Sequence, residues 1–316
     1  MPQSPGAAML ILSVLHWLAT TRWSVALHES VYVWPLLESI HVLCLALFVG
    51  TAVMLDLRLL GVAMPHIPAS AFMQRLLPWT RGAFVIMVAT GVLLFTATPV
   101  TYYNELSFRL KLILMVAAGF NVWFFHARTR RRIADWDSVV TPPTAARVAA
   151  IVSLAAWTGV VIAGRLIAYE DSPTHLLTQI SPWVFPAIES AHLLALCALG
   201  GTLLIVDLRM LGLGLTNQSL VALAAAVHPW LRRSLALIVS TGVLLFASES
   251  GRVLHMPAFR VKIATLPLAI LFTFTVRRRV ASQSLDTSQL TRVTATVSLL
   301  LWFTVAAAGR WIGFSP

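Results

Sequence analysis

Charged residues are scarce in this chain, and acidic ones are the scarcest. Only 11% of the 316 residues are charged and just 12 are acidic, whereas 58% are hydrophobic and the mean hydropathy is +0.83. A soluble domain carries roughly 25% charged residues. So many apolar side chains could not all be buried in one soluble core, which excludes an ordinary soluble domain. The lipid bilayer is the expected partner, because a helix crosses it with about 20 mostly apolar residues.

Cysteines and catalytic motifs are also few. The two cysteines, Cys44 and Cys197, lie inside apolar stretches, which excludes a disulfide framework and predicts two small buried hydrophobes. No P-loop, H-E-x-x-H, G-x-S-x-G or Rossmann fingerprint occurs in a suitable context, so nothing points to hydrolysis or phosphoryl transfer. We therefore do not expect an enzyme. The formal net charge is +11, but the basic residues form short runs between apolar stretches, which is typical of membrane loops and not of nucleic-acid binding.

One unit of sequence occurs twice in the chain. Ser30–Gly61 aligns with Ser181–Gly212 at a shift of 151 residues, and 15 of 32 positions are identical. Three further motifs recur at the same shift: Pro78-Trp79 and Pro229-Trp230, Thr90–Phe95 and Thr241–Phe246, and Phe108–Lys111 and Phe259–Lys262. The last segment of each half recurs at a shift of 145 residues, with Arg165 matching Arg310.

The repeat predicts an all-α, polytopic membrane protein made of two tandem four-helix units, residues 30–168 and 169–316. The apolar runs are too long for strands and lack period-two alternation. Four spans are an even number, so both units enter the membrane from the same side, and we expect a parallel pseudo-two-fold along the membrane normal. The predicted spans are Trp34–Leu55, Pro78–Thr98, Phe108–His126, Ala146–Ala168, Trp183–Val206, Pro229–Ala247, Phe259–Val276 and Val293–Gly313, with the two Pro-Trp pairs as helix starts.

The first 29 residues form a separate segment. Ala7–Glu29 is apolar but interrupted at Thr20–Arg22, and Trp17 and Trp23 suit the headgroup boundary. We predict an interfacial or re-entrant helix, and a ninth span remains an alternative.

Lysine and arginine are distributed unequally between the two sides. The side that holds the short R-x-R-R-R and R-R-R loops has 15 of the 23 Lys and Arg residues, and the side of both termini has the other 8. The positive-inside rule makes the richer side cytoplasmic. We therefore predict that both termini lie outside the cytoplasm.

Ionisable residues inside the first span of each half are the main candidates for function. Glu38 and His41, with their copies Glu189 and His192, are three residues apart and share one helix face. Such groups are costly in a membrane and indicate function by default. The alternative is a satisfied polar pair with only a packing role. We single out His41 and His192 as candidate ligands of a cofactor or metal.

Cations gather at the same end of the spans. A buried Glu needs a cationic partner, so we expect the pairs Glu38–Arg165 and Glu189–Arg310. The other cations either extend to lipid phosphates or, if they point inward, create a net positive pocket for an anion such as a haem propionate or a small carboxylate. These other cations are Arg109, Lys111, Arg260 and Lys262.

The opposite end of the first span carries the motif D-L-R in both halves. Asp56 with Arg58, and Asp207 with Arg209, are predicted to form short-range ion pairs that anchor the helix end at the cytoplasmic interface.

The motifs together resemble a bacterial family of integral membrane proteins of unknown function (DUF6644). The resemblance covers one half at a time, and therefore the chain twice. It implies the membrane fold and, with the orientation above, a bacterial inner membrane with both termini in the periplasm, but no activity. More loosely, the pattern is similar to four-helix membrane cytochromes and to copper-resistance membrane proteins. The residues that carry it in the first half are Glu38–Leu43, Asp56–Gly61, Leu77–Trp79, Gly91–Phe95, Phe108–Leu112, Phe120–His126 and Ala163–Ile167.

Three functions remain open at this point. The first is binding of haem b or copper; two histidines at one depth can share a haem, and His41 could meet His192 only across the pseudo-two-fold. Cys44 is three residues from His41, but the second half has Ala195 there, which weakens a metal site. The second is a small-solute or proton-coupled transporter that uses the Glu–His pairs. The third is a structural subunit without chemistry, whose partner is the bilayer.

Overall fold

The computed structural model of the chain describes residues 5–129, 133, 135–137, 141–169, 183–283 and 287–314. Within these ranges the protein is helical and contains no strand. Two short π-helical turns, Phe125–Thr129 and Thr273–Arg277, each continue the helix that precedes them. The helices are α1 (Pro5–Ala19), α2 (Arg22–Glu29), α3 (Val33–Leu59), α4 (Ala69–Ala97), α5 (Pro99–Asn104), α6 (Leu106–Phe124), α7 (Thr144–Leu166), α8 (Val184–Leu211), α9 (Leu220–Val253), α10 (Pro257–Phe272), α11 (Arg278–Gln283) and α12 (Gln289–Trp311).

Eight of the described helical segments are long and apolar enough to cross a membrane, four in each half of the sequence. The first to fourth spans of the first half are α3, α4, α6 and α7, and those of the second half are α8, α9, α10 (with α11) and α12. This confirms the all-α class and gives eight candidate spans, or nine if the bent N-terminal pair is also one, and it indicates a multi-pass membrane protein.

The second span of each half begins earlier than the sequence predicted. Pro78 and Pro229 lie inside α4 and α9 and do not start them, so this prediction was wrong. A proline inside a helix costs about 3 kcal/mol. The turns before it are nevertheless helical, because Phe72 and Leu76 in α4, and Leu223 in α9, are buried in the largest apolar cluster of the protein.

The two first spans cross at the centre of the molecule through glycine. A Cβ atom on Gly50 would lie 2.3 Å from the carbonyl oxygen of Cys197, and one on Gly201 would lie 2.3 Å from the carbonyl oxygen of Gly50. Only glycine allows two helix backbones to approach so closely. The repeated glycine in the first span therefore provides a close contact between the two halves.

The remaining spans surround this crossing in the same way in both halves. The second span packs on the first span of its own half, and the third packs on the fourth. The fourth span contacts the first spans of both halves. We call the end of the bundle that holds His41 and His192 the His end, and the end that holds Asp56 and Asp207 the Asp end.

The D-L-R motifs end the first spans at the Asp end. Arg58 Nε donates to the carbonyl oxygen of Ile67, and Arg209 Nε donates to that of Gln218 at 2.7 Å. Each arginine thus fixes the loop that follows its helix. The predicted pairing of Asp56 with Arg58 and of Asp207 with Arg209 is wrong, because residues two apart on a helix face different directions.

The N-terminal segment is a bent pair of helices. The part of α1 from Met9 meets α2 at 65°. The hydroxyl of Thr21 accepts from the backbone N–H of Ser24 and caps α2, and Ser24 Oγ donates to the carbonyl oxygen of Thr96 at 2.8 Å. The pair therefore rests on the end of α4. Both an interfacial or re-entrant segment and a broken ninth span fit this shape, so the earlier prediction stays open.

Candidate functional site

The two histidines of the first spans bind threonines of the second spans. His41 Nδ1 lies 3.0 Å from Thr90 Oγ1, and His192 Nδ1 lies 2.9 Å from Thr241 Oγ1. Each threonine hydroxyl is also within hydrogen-bond distance of a backbone carbonyl of its own helix, at 2.9 Å and 2.7 Å. With the hydroxyl proton on that carbonyl, the threonine oxygen accepts and each histidine donates from Nδ1. This assignment leaves the lone pair on Nε2 in both halves.

Glycine provides the space for both imidazole rings. A Cβ atom on Gly91 would lie 3.2 Å from His41 Cε1, and one on Gly242 would lie 3.3 Å from His192 Cε1. The repeated Thr-Gly pair therefore binds and accommodates the histidine ring in each half. The sequence showed this motif twice, with its glycine predicted to permit close helix approach, but it did not show that the motif binds a histidine.

A lysine of the third span lies within electrostatic range of each histidine: Lys111 of His41, and Lys262 of His192. Both lysines point inward, because Lys111 Nζ is within 3.5 Å of where a Cβ atom on Gly164 would be, and Lys262 takes the equivalent place. Among the described residues neither lysine has a hydrogen bond or an ion pair.

The neighbouring arginines point outward. Arg109 is exposed, donates to the carbonyl oxygen of Tyr103 at 2.9 Å and lies 5.3 Å from the centre of its ring. Arg260 is exposed as well. In the repeated F-R-x-K motif the arginine therefore faces the surroundings and the lysine faces the site.

The buried glutamates pair across the two halves. Arg165 binds Glu189 with Nη2 and Oε2 2.5 Å apart, and Arg310 binds Glu38. The pairing predicted within each half was wrong, because the sequence does not show that each fourth span also packs on the first span of the other half. The four side chains are only about a fifth exposed, so the crossed ion pairs link the halves at the His end.

An aromatic pair bridges the second and third spans above each site. Phe95 stacks on Phe108 with ring centres 5.5 Å apart, and Phe246 stacks on Phe259 at 5.3 Å. In the first half Tyr102 also stacks on Phe108. Burial, and after it the negative charge of Glu38, raise the pKa of Tyr102 to about 12, so its phenol stays protonated at neutral pH.

The two histidines do not face one another. His41 precedes Gly50 by nine residues, which is two and a half turns of an α-helix, and so it lies on the opposite face of α3 from the crossing. The same spacing separates His192 from Gly201 in α8. Each ring is directed to the second span of its own half, and not to a ligand shared across the interface.

No metal cluster accompanies either histidine in the part of the chain that the structure describes. No three His, Cys, Asp or Glu side chains come together there as a metal site would need. Cys44 is half-buried and Cys197 is buried, and both are free thiols.

At the Asp end the second half forms a closed ion pair that the sequence did not predict. Arg277 Nε binds Asp207 Oδ1 at 2.6 Å, and Ser298 Oγ donates to Asp207 Oδ2 at 2.8 Å. The aspartate is fully buried and Arg277 is 5% exposed. Arg277 had been assigned only to the basic loop of the cytoplasmic side.

The comparison with protein families gives one match, which occurs twice. A family model described as "Family of unknown function (DUF6644)" matches residues 26–170 and again residues 184–315. The comparison with curated proteins finds no match, and the comparison with solved structures finds none. The two matches cover most of the chain and confirm the resemblance seen in its motifs. The chain therefore belongs to the DUF6644 family and carries two copies of its unit in tandem.

Proposed function

We propose that this protein binds two amphiphilic molecules with anionic head groups, one in each half, at the His end of the membrane. One observation carries this proposal. In both halves an inward lysine lies near a histidine that is bonded to threonine, and the lysine has no carboxylate partner among the described residues. The glutamates cannot neutralise these lysines fully, because each is already bound by an arginine of the other half.

The chemistry of the site selects the head group. A buried ammonium without a counter-ion is costly in a medium of low dielectric, and a bound anion offsets that cost. The Nε2 lone pair of the histidine accepts a proton from a donor on the ligand. A carboxylic acid satisfies both groups, since its hydroxyl donates to Nε2 and its other oxygen accepts from the ammonium.

The packing of the spans supports entry of the ligand from the surrounding lipid. The second span packs on the first and the third on the fourth, so α4 has little contact with α6, and α9 has little contact with α10. The stacked Phe95–Phe108 pair bridges α4 and α6 at the His end, and exposed apolar side chains such as Val92 and Ile113 face outward along them. An apolar tail can therefore lie between these spans, in contact with lipid. A long-chain carboxylate fits this arrangement.

Haem b is the second candidate, and the orientation of the histidine favours it. An axial histidine typically donates from Nδ1 and binds iron through Nε2. Such a haem would be held within one half, because His41 and His192 face away from one another. Lys111 or Lys262 would then pair with a propionate. Copper has less support, because Cys44 has no counterpart at Ala195.

We further propose that the two four-helix units, residues 30–168 and 169–316, are related by a parallel pseudo-two-fold. The His end would face the periplasm of a bacterial inner membrane. The excess of arginine at the Asp end supports this orientation, although Arg130, Arg131 and Arg132 of that count lie outside the described residues. Reporter fusions after the last residue and between residues 129 and 141 test it. A cytoplasmic C-terminus would contradict it.

Binding of spin-labelled stearate to the purified protein tests the main proposal. We expect two molecules per chain, one in Lys111→Gln or Lys262→Gln, and none in the double variant. The matched controls are Arg109→Gln and Arg260→Gln, which remove a charge two residues away on the outward face and should leave the stoichiometry at two. If the lysine variants still bind two molecules, or if the arginine variants lose as much, the proposal fails. A Soret band in the visible spectrum that disappears with His41→Ala would favour haem instead.

A further inference from the structure

The Asp end of the first half contains a buried carboxylate that lacks the cation its counterpart has. Asp56 is 6% exposed, and its Oδ2 atom has no hydrogen-bond partner in the described part of the protein. Ser153 interacts with this carboxylate, as Ser298 does with Asp207. The serine is therefore present in both halves, and only the cationic partner is missing in the first.

The missing cation results from one difference between the repeats. The residue that matches Arg277 at the shift of 151 is His126. Arg277 ends its π-helical turn and points inward, whereas the π-helical turn of the first half begins just before His126. His126 Nδ1 pairs with the carbonyl oxygen of Val122 on its own helix at 2.9 Å, so its ring is directed away from Asp56.

Other charged groups around Asp56 are also directed elsewhere. Arg58 on the same helix binds the loop carbonyl of Ile67, and Asp207 on α8 is bound by Arg277. Arg209, also on α8, is buried and binds the loop carbonyl of Gln218. The other described cations near the Asp end of α4, α7 and α12 are exposed: Arg75, Arg81, Arg147 and Arg292. No charged side chain of the described residues therefore neutralises this carboxylate.

We propose that Asp56 and Ser153 form a binding site for a monovalent cation, taken up from the Asp end as a proton or as Na⁺. The second half supports the need for a positive charge at this site, because its equivalent aspartate–serine pair binds the guanidinium of Arg277. A buried carboxylate without a positive charge is strongly unfavourable, so it either binds a cation or becomes protonated. The first half obtains its positive charge from solution, and the second half carries it permanently as Arg277.

The site differs from the proposed anion sites in place, charge and occupant. It lies at the Asp end and involves no residue of the histidine–lysine pairs. It therefore does not rest on the proposed function, and neither proposal fails with the other.

Infrared spectroscopy and ²²Na⁺ binding of the purified full-length protein test this inference with separate readouts. If Asp56 holds a proton, the wild type shows the carbonyl stretching band of a buried carboxylic acid, and Asp56→Asn loses it. If Asp56 holds Na⁺, the wild type instead binds one ²²Na⁺ per chain, and Asp56→Asn abolishes the binding. The matched control, Asp207→Asn, should leave either signal unchanged. A wild type with neither signal, or a signal that survives Asp56→Asn, overturns the proposal.

Exchange of the residues that differ between the repeats provides the second test. His126→Arg supplies the cation that the second half has, and we expect it to remove the acid band or the Na⁺ binding. Arg277→His should create a second signal of the same kind, which Asp207→Asn then removes. If both exchange variants fold, as judged by their thermal unfolding, and both leave the wild-type signal unchanged, the proposal is wrong.

Discussion

The two halves of this protein agree at one end of the membrane and differ at the other. At the His end, each half has a histidine bonded to threonine, a lysine against glycine and a stacked phenylalanine pair. At the Asp end, the second half has a closed ion pair between Asp207 and Arg277, and the first half has a buried aspartate without one. The His-end arrangement therefore occurs in both halves, and a buried aspartate without an ion pair occurs, among the described residues, only in the first half.

The largest effect is expected from removal of the closed pair. Arg277→Leu leaves Asp207 buried and unpaired, which costs about 3–5 kcal/mol in soluble proteins. The matched change in the first half, His126→Leu, removes only a half-buried ring bonded to its own helix and should change the free energy of unfolding by less than about 1 kcal/mol. Unfolding in mixed micelles measures both. Equal losses of unfolding free energy in the two variants would show that the Asp ends of the two halves do not differ in this way.

The crossed ion pairs at the His end give the next largest effect. A double-mutant cycle of Glu38→Ala with Arg310→Ala should show a coupling of about 1–3 kcal/mol. The control cycle of Glu38→Ala with Arg165→Ala should show a clearly smaller coupling, since Arg165 binds Glu189. A larger coupling in the control cycle would restore the pairing within each half and reject the crossed arrangement.

The sequence predicted the helical class and the candidate spans because the chain presents the same unit twice. Eight apolar runs, the repeated glutamates and histidines and the F-R-x-K motif could all be read without a structure. The partners of the glutamates could not, because two fourth spans carry the same arginine and the sequence does not say which of them packs on which first span. Arg277 could not be placed either, since the position of a π-helical turn decides whether that residue faces inward or outward.

The predicted starts of the second spans were wrong for a related reason. Pro78 and Pro229 are typical of first turns, and only the burial of side chains such as Phe72 and Leu223 in the shared core explains why the helices begin before them. The Thr-Gly pair was visible as a repeated motif, but its role became clear only when the second span was placed beside the first.

A smaller effect is expected from loss of one threonine hydroxyl. Thr90→Val keeps the shape of the side chain and removes the acceptor of His41, which should cost about 1 kcal/mol. It should also free the ring to change tautomer, which the ¹⁵N shifts of labelled histidine report. Thr241→Val should act in the same way on His192. No change in the histidine shifts of either variant would contradict the assignment of the Nδ1 proton.

The central claim is that each half holds its own ligand through its own histidine and lysine. Native mass spectrometry of protein purified with its bound small molecules tests it most directly. We expect two ligands on the wild type, one on His41→Ala, one on His192→Ala and none on the double variant. His228→Ala, which removes a histidine of the second half outside these sites, should keep both. Full occupancy in both single variants and in the double variant would contradict the claim and leave the repeated histidine with a role in packing alone.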